Sequence, residues 1–277
     1  MTPKLLLIAT LSVILGLPRA LLAEGPLSQA NLERLPEILR DALVKEAADS
    51  GHWAYTETTL VTGSKGKPHG ETIVRFDPSK PYEEQFTPVK IDGKEPTDKQ
   101  RDGYRRRGEH RRQKLESDPT KQDAAVSAPR ATVGGKKVSI DFEHVAVVAE
   151  DPASLTYELP FKSTEKMEVP VDKFQLLIRV NREHRVLENV DFKLKEGFRV
   201  KVIAKLSAME FRMRFTTVDP QFAPQMTSLS GALAGGMLFM KIDIATDTKR
   251  TDFQRVKPFN ERFGVKVGPV QVLEFLP

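Results

Sequence analysis

Residues 209–215 have the sequence Met-Glu-Phe-Arg-Met-Arg-Phe, in which every second side chain is apolar and the others are charged. Because successive side chains of a β-strand point to opposite faces, this period of two predicts a strand with one covered face and one wet face. The same alternation occurs in residues 174–180, 186–192, 198–206 and 238–244. Strands of this kind in series are typical of an antiparallel sheet with one buried face.

The N-terminal part of the chain has a different pattern. Residues 36–49 carry apolar side chains at spacings of three and four, beginning with a proline, and this predicts a helix. Alternation then begins in residues 53–61 and returns in residues 71–76 after a turn rich in glycine and lysine, which predicts a hairpin. A further short strand is predicted at residues 85–91.

These patterns together predict an α+β fold that is mainly antiparallel β. We expect a single sheet domain over residues 24–277. Within it, residues 97–117 are predicted to form a basic helix and residues 117–137 a flexible linker, because the latter are rich in proline, glycine and small residues. Residues 229–240 are small and apolar, and a loop or a short covering segment is predicted there.

The N-terminus has the features of a secretory signal peptide. Lys4 precedes the apolar run Leu5 to Leu17, and small residues follow up to Ala23. The run is too short to span a bilayer, which needs ~20 apolar residues. We therefore expect a periplasmic or secreted protein that is cleaved after Ala23, the alternative being an uncleaved anchor.

Positive charge is concentrated in one segment. Eight basic and two acidic residues lie between Lys99 and Lys114, a net charge of +6 in a chain whose total is +5. A helix of this kind is attracted to an anionic membrane surface by ~1 kcal/mol per basic residue; the alternative is a helix that is merely solvated. Nucleic acid is not expected as a partner. Tyr104 is the segment's sole aromatic residue, so base stacking has little support, and export separates the protein from nucleic acid. The candidate contact residues are Arg101, Arg105, Arg106, Arg107, Arg111 and Arg112.

No catalytic constellation is found in the sequence. The chain has no cysteine, which excludes disulfides and thiolate chemistry, and its five histidines lack the spacing of a helical metal pair. Gly66-Lys67 is followed by Pro68 rather than the serine or threonine of a phosphate-binding loop. We expect no metal, no cofactor and no enzymatic activity; the alternative is an enzyme of unknown class whose residues converge from distant segments.

Methionine is concentrated in the C-terminal half. Five of the seven methionines lie between residues 209 and 240. Methionine is flexible and suits surfaces that accept variable apolar partners. If the sheet is concave, we expect a non-enzymatic protein that binds an acyl chain or another apolar ligand in the cavity. The alternative is that these side chains simply fill the core. The candidate lining residues are Met209, Phe211, Met213, Phe215, Leu238 and Met240.

Two short turns carry a resemblance. Residues 74–81, with the sequence VRFDPSKP, and residues 92–97, with the sequence DGKEPT, resemble a group of uncharacterised exported bacterial proteins. The amphipathic strands of the later half are similar to those of the lipoprotein-carrier superfamily of LolA- and LolB-like proteins. This resemblance implies a curved antiparallel sheet or half-barrel, with the N-terminal and central helices packed against it. It implies no specific functional residues.

Overall fold

The described chain consists mainly of antiparallel β-strands with a few helices. The computed structural model describes residues 29–63, 66–117, 131–133, 136–162, 170–200, 204–237 and 240–262, so the predicted signal peptide lies outside the described residues. The helices are α1 (Gln29–Leu32), α2 (Glu37–Ser50) and α3 (Asp98–Ser117). The strands are β1 (Trp53–Thr62), β2 (Pro68–Phe76), β3 (Phe86–Ile91), β4 (Ala131–Val133), β5 (Lys136–Ile140), β6 (Ala146–Glu150), β7 (Ser154–Leu159), β8 (Phe161–Lys162), β9 (Phe174–Asn181), β10 (Val186–Leu194), β11 (Phe198–Val200), β12 (Ala204–Thr216), β13 (Gln225–Met237) and β14 (Met240–Arg255).

Eleven of these strands form one open sheet. Its order is β3-β2-β1-β14-β13-β12-β10-β9-β7-β6, with β11 paired to β12, and every pairing is antiparallel. The last strand, β14, lies between β1 and β13. It therefore joins the N-terminal strands to the later ones in one continuous sheet. The short strands β4, β5 and β8 form a second sheet.

One face of the large sheet carries the core, as the alternation predicts. Strand β9 buries Phe174 and every second residue after it, and β12 buries Met213 and its neighbours at the same spacing. Cross-strand pairs keep these residues in line, for example Phe192 opposite Phe211. We call this buried side the inner face.

Two elements cover the inner face. Helix α2 packs against β9 and β10, and its residues Leu39 and Ala42 are buried in the core. The second sheet contributes Ile140, and the ring of Phe161 lies edge-on to that of Phe192 at 5.8 Å between centroids. The prediction that the N-terminal helix packs on the sheet is thus confirmed.

Three local predictions are wrong. Residues 229–240 belong largely to β13 and β14, because leucine and small residues alternate there with serine, glycine and alanine. Residues 198–206, predicted as one strand, contain β11 and the start of β12, which pair with each other. The linker predicted at residues 117–137 includes the strand residues 131–133 and 136–137, and residues 118–130 lie outside the described residues.

A glycine on β13 makes room for one core ring. Gly231 lies opposite Phe211, and a Cβ atom at Gly231 would overlap the Phe211 ring. The ring therefore packs directly on the backbone of the neighbouring strand, a close approach that only glycine permits.

We expect Gly231→Val to lower the free energy of unfolding by about 1–3 kcal/mol, because the Phe211 ring must leave its place. Urea unfolding of the two proteins measures this difference. Ala232→Val is the matched control, since Ala232 is exposed on the opposite face of the same strand. Equal unfolding midpoints for the two variants would contradict this packing.

Candidate functional site

Helix α3 begins at a well-formed cap. The Thr97 backbone N–H donates to Oε1 of Gln100 at 2.8 Å, and the Gln100 N–H donates back to the Thr97 hydroxyl at 3.4 Å. This reciprocal pair satisfies two backbone donors that the first turn leaves free. The cap explains why a helix with almost no apolar stripe starts at a defined residue.

One side of α3 packs against the segment that precedes β3. Gly108 is buried there, and a Cβ atom at this position would overlap the backbone of Tyr82 and Glu83. The guanidinium of Arg111 donates to Oε1 of Gln85 at 2.8 Å and lies 4.8 Å from the centre of the Phe86 ring. These contacts fix the helix to the edge of the large sheet.

A second arginine supports the same attachment. Arg112 forms an ion pair with Glu83 at 3.1 Å. Arg111 and Arg112 are therefore directed toward the body of the protein and have partners there. The six candidate arginines thus divide into two that attach the helix and four that do not.

The first half of α3 is exposed and basic, with its charges on several sides of the helix. Arg105 contacts Asp102 at 3.3 Å, and Arg107 donates to the Gly103 carbonyl and lies 4.2 Å above the Tyr104 ring. These contacts are all within the helix, so the charges remain accessible. We call the following residues the basic face: Lys99, Arg101, Arg105, Arg106 and Arg107. The side chain of Lys114 lies outside the described residues.

The candidate ligand-lining residues of β12 lie in the core. Met209, Phe211, Met213 and Phe215 point to the inner face and are at most 7% exposed, Phe211 and Met213 being fully buried. They are thus brought together as one apolar strip. Leu238 lies outside the described residues, and so does the side chain of Met240.

A polar cluster that the sequence analysis missed lies at the C-terminal end of α2. Asp49 is buried, and its carboxylate accepts hydrogen bonds from Trp53 Nε1 at 2.9 Å and from Gln225 Nε2 at 3.0 Å. It also pairs with Arg255, whose guanidinium lies 3.6 Å from the centre of the Phe222 ring. No local motif indicates this cluster, because Gln225 and Arg255 lie far from Asp49 and Trp53 in the sequence.

Glu46 lies one helical turn before Asp49 and is half-buried. Burial raises the pKa of its carboxyl from about 4.5 to about 7, against the lowering effect of Arg250 and of a hydrogen bond with Ser50. Arg250 is itself paired with Glu57 at 3.0 Å and lies 4.2 Å above the Tyr55 ring. The carboxyl thus keeps its proton to a higher pH than an ordinary glutamate does.

Two of the five histidines, all of which lie in the described residues, have carboxylate partners. His52 Nε2 lies 2.8 Å from Glu261, and His144 Nδ1 lies 2.8 Å from Asp141. Within the described ranges, no three histidine, aspartate or glutamate residues are grouped as metal ligands. None of the described helices is both long and apolar enough to cross a bilayer.

Comparison with known proteins does not identify a family for this chain. No family model matches the sequence, and no curated protein matches it. Among solved structures, the chain is similar to the crystal structure of a DUF1329 family protein from Desulfovibrio piger ATCC 29098. The TM-score is 0.29 at 9% identity, over 84% of this chain and 94% of that chain. A TM-score this low assigns neither a family nor a function to the present chain.

Two glycines of α3 test how the helix is attached. We expect Gly108→Ala to loosen α3, because its methyl group would displace the backbone of Tyr82, whereas Gly103 has open space around it. Gly103→Ala should instead stabilise the helix by about 1 kcal/mol, since alanine is the better helix former. The rate of proteolysis within residues 98–117 measures both effects. Equal rates for the two variants would contradict the proposed contact.

Proposed function

We propose that this protein is an exported, non-enzymatic protein that attaches to an anionic membrane surface through the basic face of α3. The observation that carries the proposal is the division of the arginines. Arg111 and Arg112 hold the helix against the body of the protein, while the basic face stays exposed.

The attachment of α3 to the body of the protein should increase its affinity for a membrane. Each basic residue near an anionic membrane contributes ~1 kcal/mol, and a flexible segment would lose part of this to ordering. Here the cap at Thr97 and the contacts of Gly108 and Arg111 order the helix before it binds. The charges are therefore held close together along one ordered segment, the first half of α3.

The distribution of charge favours one orientation. The segment from Lys99 to Lys114 has a net charge of +6, whereas the chain as a whole has +5. The rest of the protein is thus close to neutral or slightly acidic, so the largest concentration of positive charge is at α3. Nucleic acid is disfavoured as the anion, because Tyr104 is covered by Arg107 and offers little area for base stacking.

Binding to vesicles tests this proposal. The chain from Glu24 onward should sediment with phosphatidylcholine vesicles that contain phosphatidylglycerol, and far less with phosphatidylcholine alone. Binding should fall as salt is added, because screening weakens charge attraction. Replacing Arg101, Arg105, Arg106 and Arg107 with Gln should reduce the affinity about tenfold or more.

A control with the same loss of charge separates the basic face from net charge. It replaces four exposed basic residues outside α3 with Gln: Arg199, Lys205, Lys249 and Lys257. This variant should bind almost as well as the unmodified protein. If both variants lose affinity equally, net charge alone governs binding and the proposed surface is wrong.

A second candidate function is the holding of an acyl chain or another apolar ligand on the inner face. It is supported by the continuous apolar strip of β12, which includes Met209 and Met213 and lies on the face that α2 covers. Methionine adapts its shape to neighbours, so such a strip can repack around a ligand. The resemblance of the strands to lipoprotein carriers points the same way.

Native mass spectrometry tests the second candidate. Protein purified without detergent from a bacterial periplasm should carry a bound mass of lipid size. Met213→Phe, which adds bulk to the strip, should lose that mass, whereas the volume-conserving Met213→Leu should keep it. A protein without bound mass, or a mass that both variants retain, would count against an inner-face ligand.

A further inference from the structure

The sheet-facing side of helix α2 is apolar in its N-terminal half and acidic in its C-terminal half. Leu39, Ala42, Glu46 and Asp49 recur at intervals of three and four residues, so they share one side of the helix. The first two are buried in the apolar core. The last two are acidic and face the ends of β1, β13 and β14. The two halves of the helix are therefore attached by different forces.

The N-terminal half is held at the turn between β9 and β10. Arg185 contacts Glu37 and Asp41 at 2.6 Å each, and the Lys45 ammonium donates to the His184 carbonyl at 2.8 Å. These contacts do not involve Glu46. This half of α2 is therefore held independently of the C-terminal half.

The C-terminal half faces a set of charges that does not balance when every group is ionised. In the described residues, the charged groups around Glu46 are Asp49 on its own helix, Arg250 and Arg255 on β14, and Glu57 on β1. Asp49 pairs with Arg255, and Glu57 pairs with Arg250. Each arginine thus already has a carboxylate, and an ionised Glu46 adds a third negative charge to two positive ones.

We propose that α2 is a pH-sensitive cover on the inner face of the sheet, whose C-terminal half is held down while Glu46 keeps its proton and loosens when Glu46 ionises. Neutral Glu46 leaves the two ion pairs balanced. Ionised Glu46 must either remain half-buried beside Asp49 or move toward water, and movement toward water pulls the last turn of the helix against the contacts of Asp49.

The direction of the effect follows from the pKa values of the two states. A glutamate in water titrates near 4.5, whereas burial raises the pKa of Glu46 in the docked helix to about 7. The docked state therefore binds the proton more tightly, and docking is most favourable below about pH 4.5. It weakens as pH rises from about 4.5 to about 7 and changes little above that.

Hydrogen exchange of the full chain from Glu24, followed by mass spectrometry, tests the proposal. After correction for the intrinsic pH dependence of exchange, peptides from residues 44–50 should exchange about tenfold faster or more at pH 8 than at pH 5. Peptides from β9 and β10 serve as the internal reference and should not change. Glu46→Gln, which mimics the neutral form, should abolish the difference.

Glu37→Gln is the matched control, because it removes a carboxylate from the same helix at the half held by Arg185. This variant should retain the pH dependence of the unmodified protein. Equal protection of residues 44–50 at both pH values would overturn the proposal, and so would an unchanged pH response in Glu46→Gln. Circular dichroism confirms that each variant is folded, and Glu46→Ala provides a second neutral variant.

Discussion

The pairing of β14 with both β1 and β13 is the interaction on which the rest of the structure depends. Without it, the hairpin of β1 and β2 would have no connection to the later strands, since the sheet order places β14 between them. The same strand supplies Arg250 and Arg255, which meet Glu57 and Asp49. Because β1 precedes β14 by about 190 residues along the chain, the pairing of these two strands cannot form until nearly the whole sequence is available. The position of α2 and the continuity of the inner face are consequences of one long-range pairing.

The sequence predicts those elements whose side chains differ strongly between the two faces. Helix α2 and strands β9, β10 and β12 were predicted because apolar residues alternate there with charged ones or recur at helical spacing. Strand β13 was missed because serine, glycine and alanine blur the same period of two. Its Gly231 is small for a reason that lies on the neighbouring strand, where the Phe211 ring needs the space.

The candidate sites could be predicted only in part. The charge of α3 is plain in the sequence, but its helix is polar on all sides, so periodicity does not tell which arginines face the protein. Gly108 marks the packed side, yet only the position of Tyr82 and Glu83 reveals this. The cluster around Asp49 has no signal at all, since Asp49 and Arg255 are far apart in the sequence and neither belongs to a motif.

Arginine has two distinct uses in this fold, and its surroundings separate them. Arg111, Arg250 and Arg255 each lie over an aromatic ring and also have a hydrogen-bonding side-chain partner. Their interactions therefore stabilise the fold itself. Arg101 and Arg106 have neither kind of partner among the described residues and are exposed. An arginine of the first kind stabilises the fold when it is present and destabilises it when it is replaced. One of the second kind contributes little to stability, so its replacement can alter binding alone, and for this reason the basic face of α3 is a surface on which function can be tested without disturbing the fold.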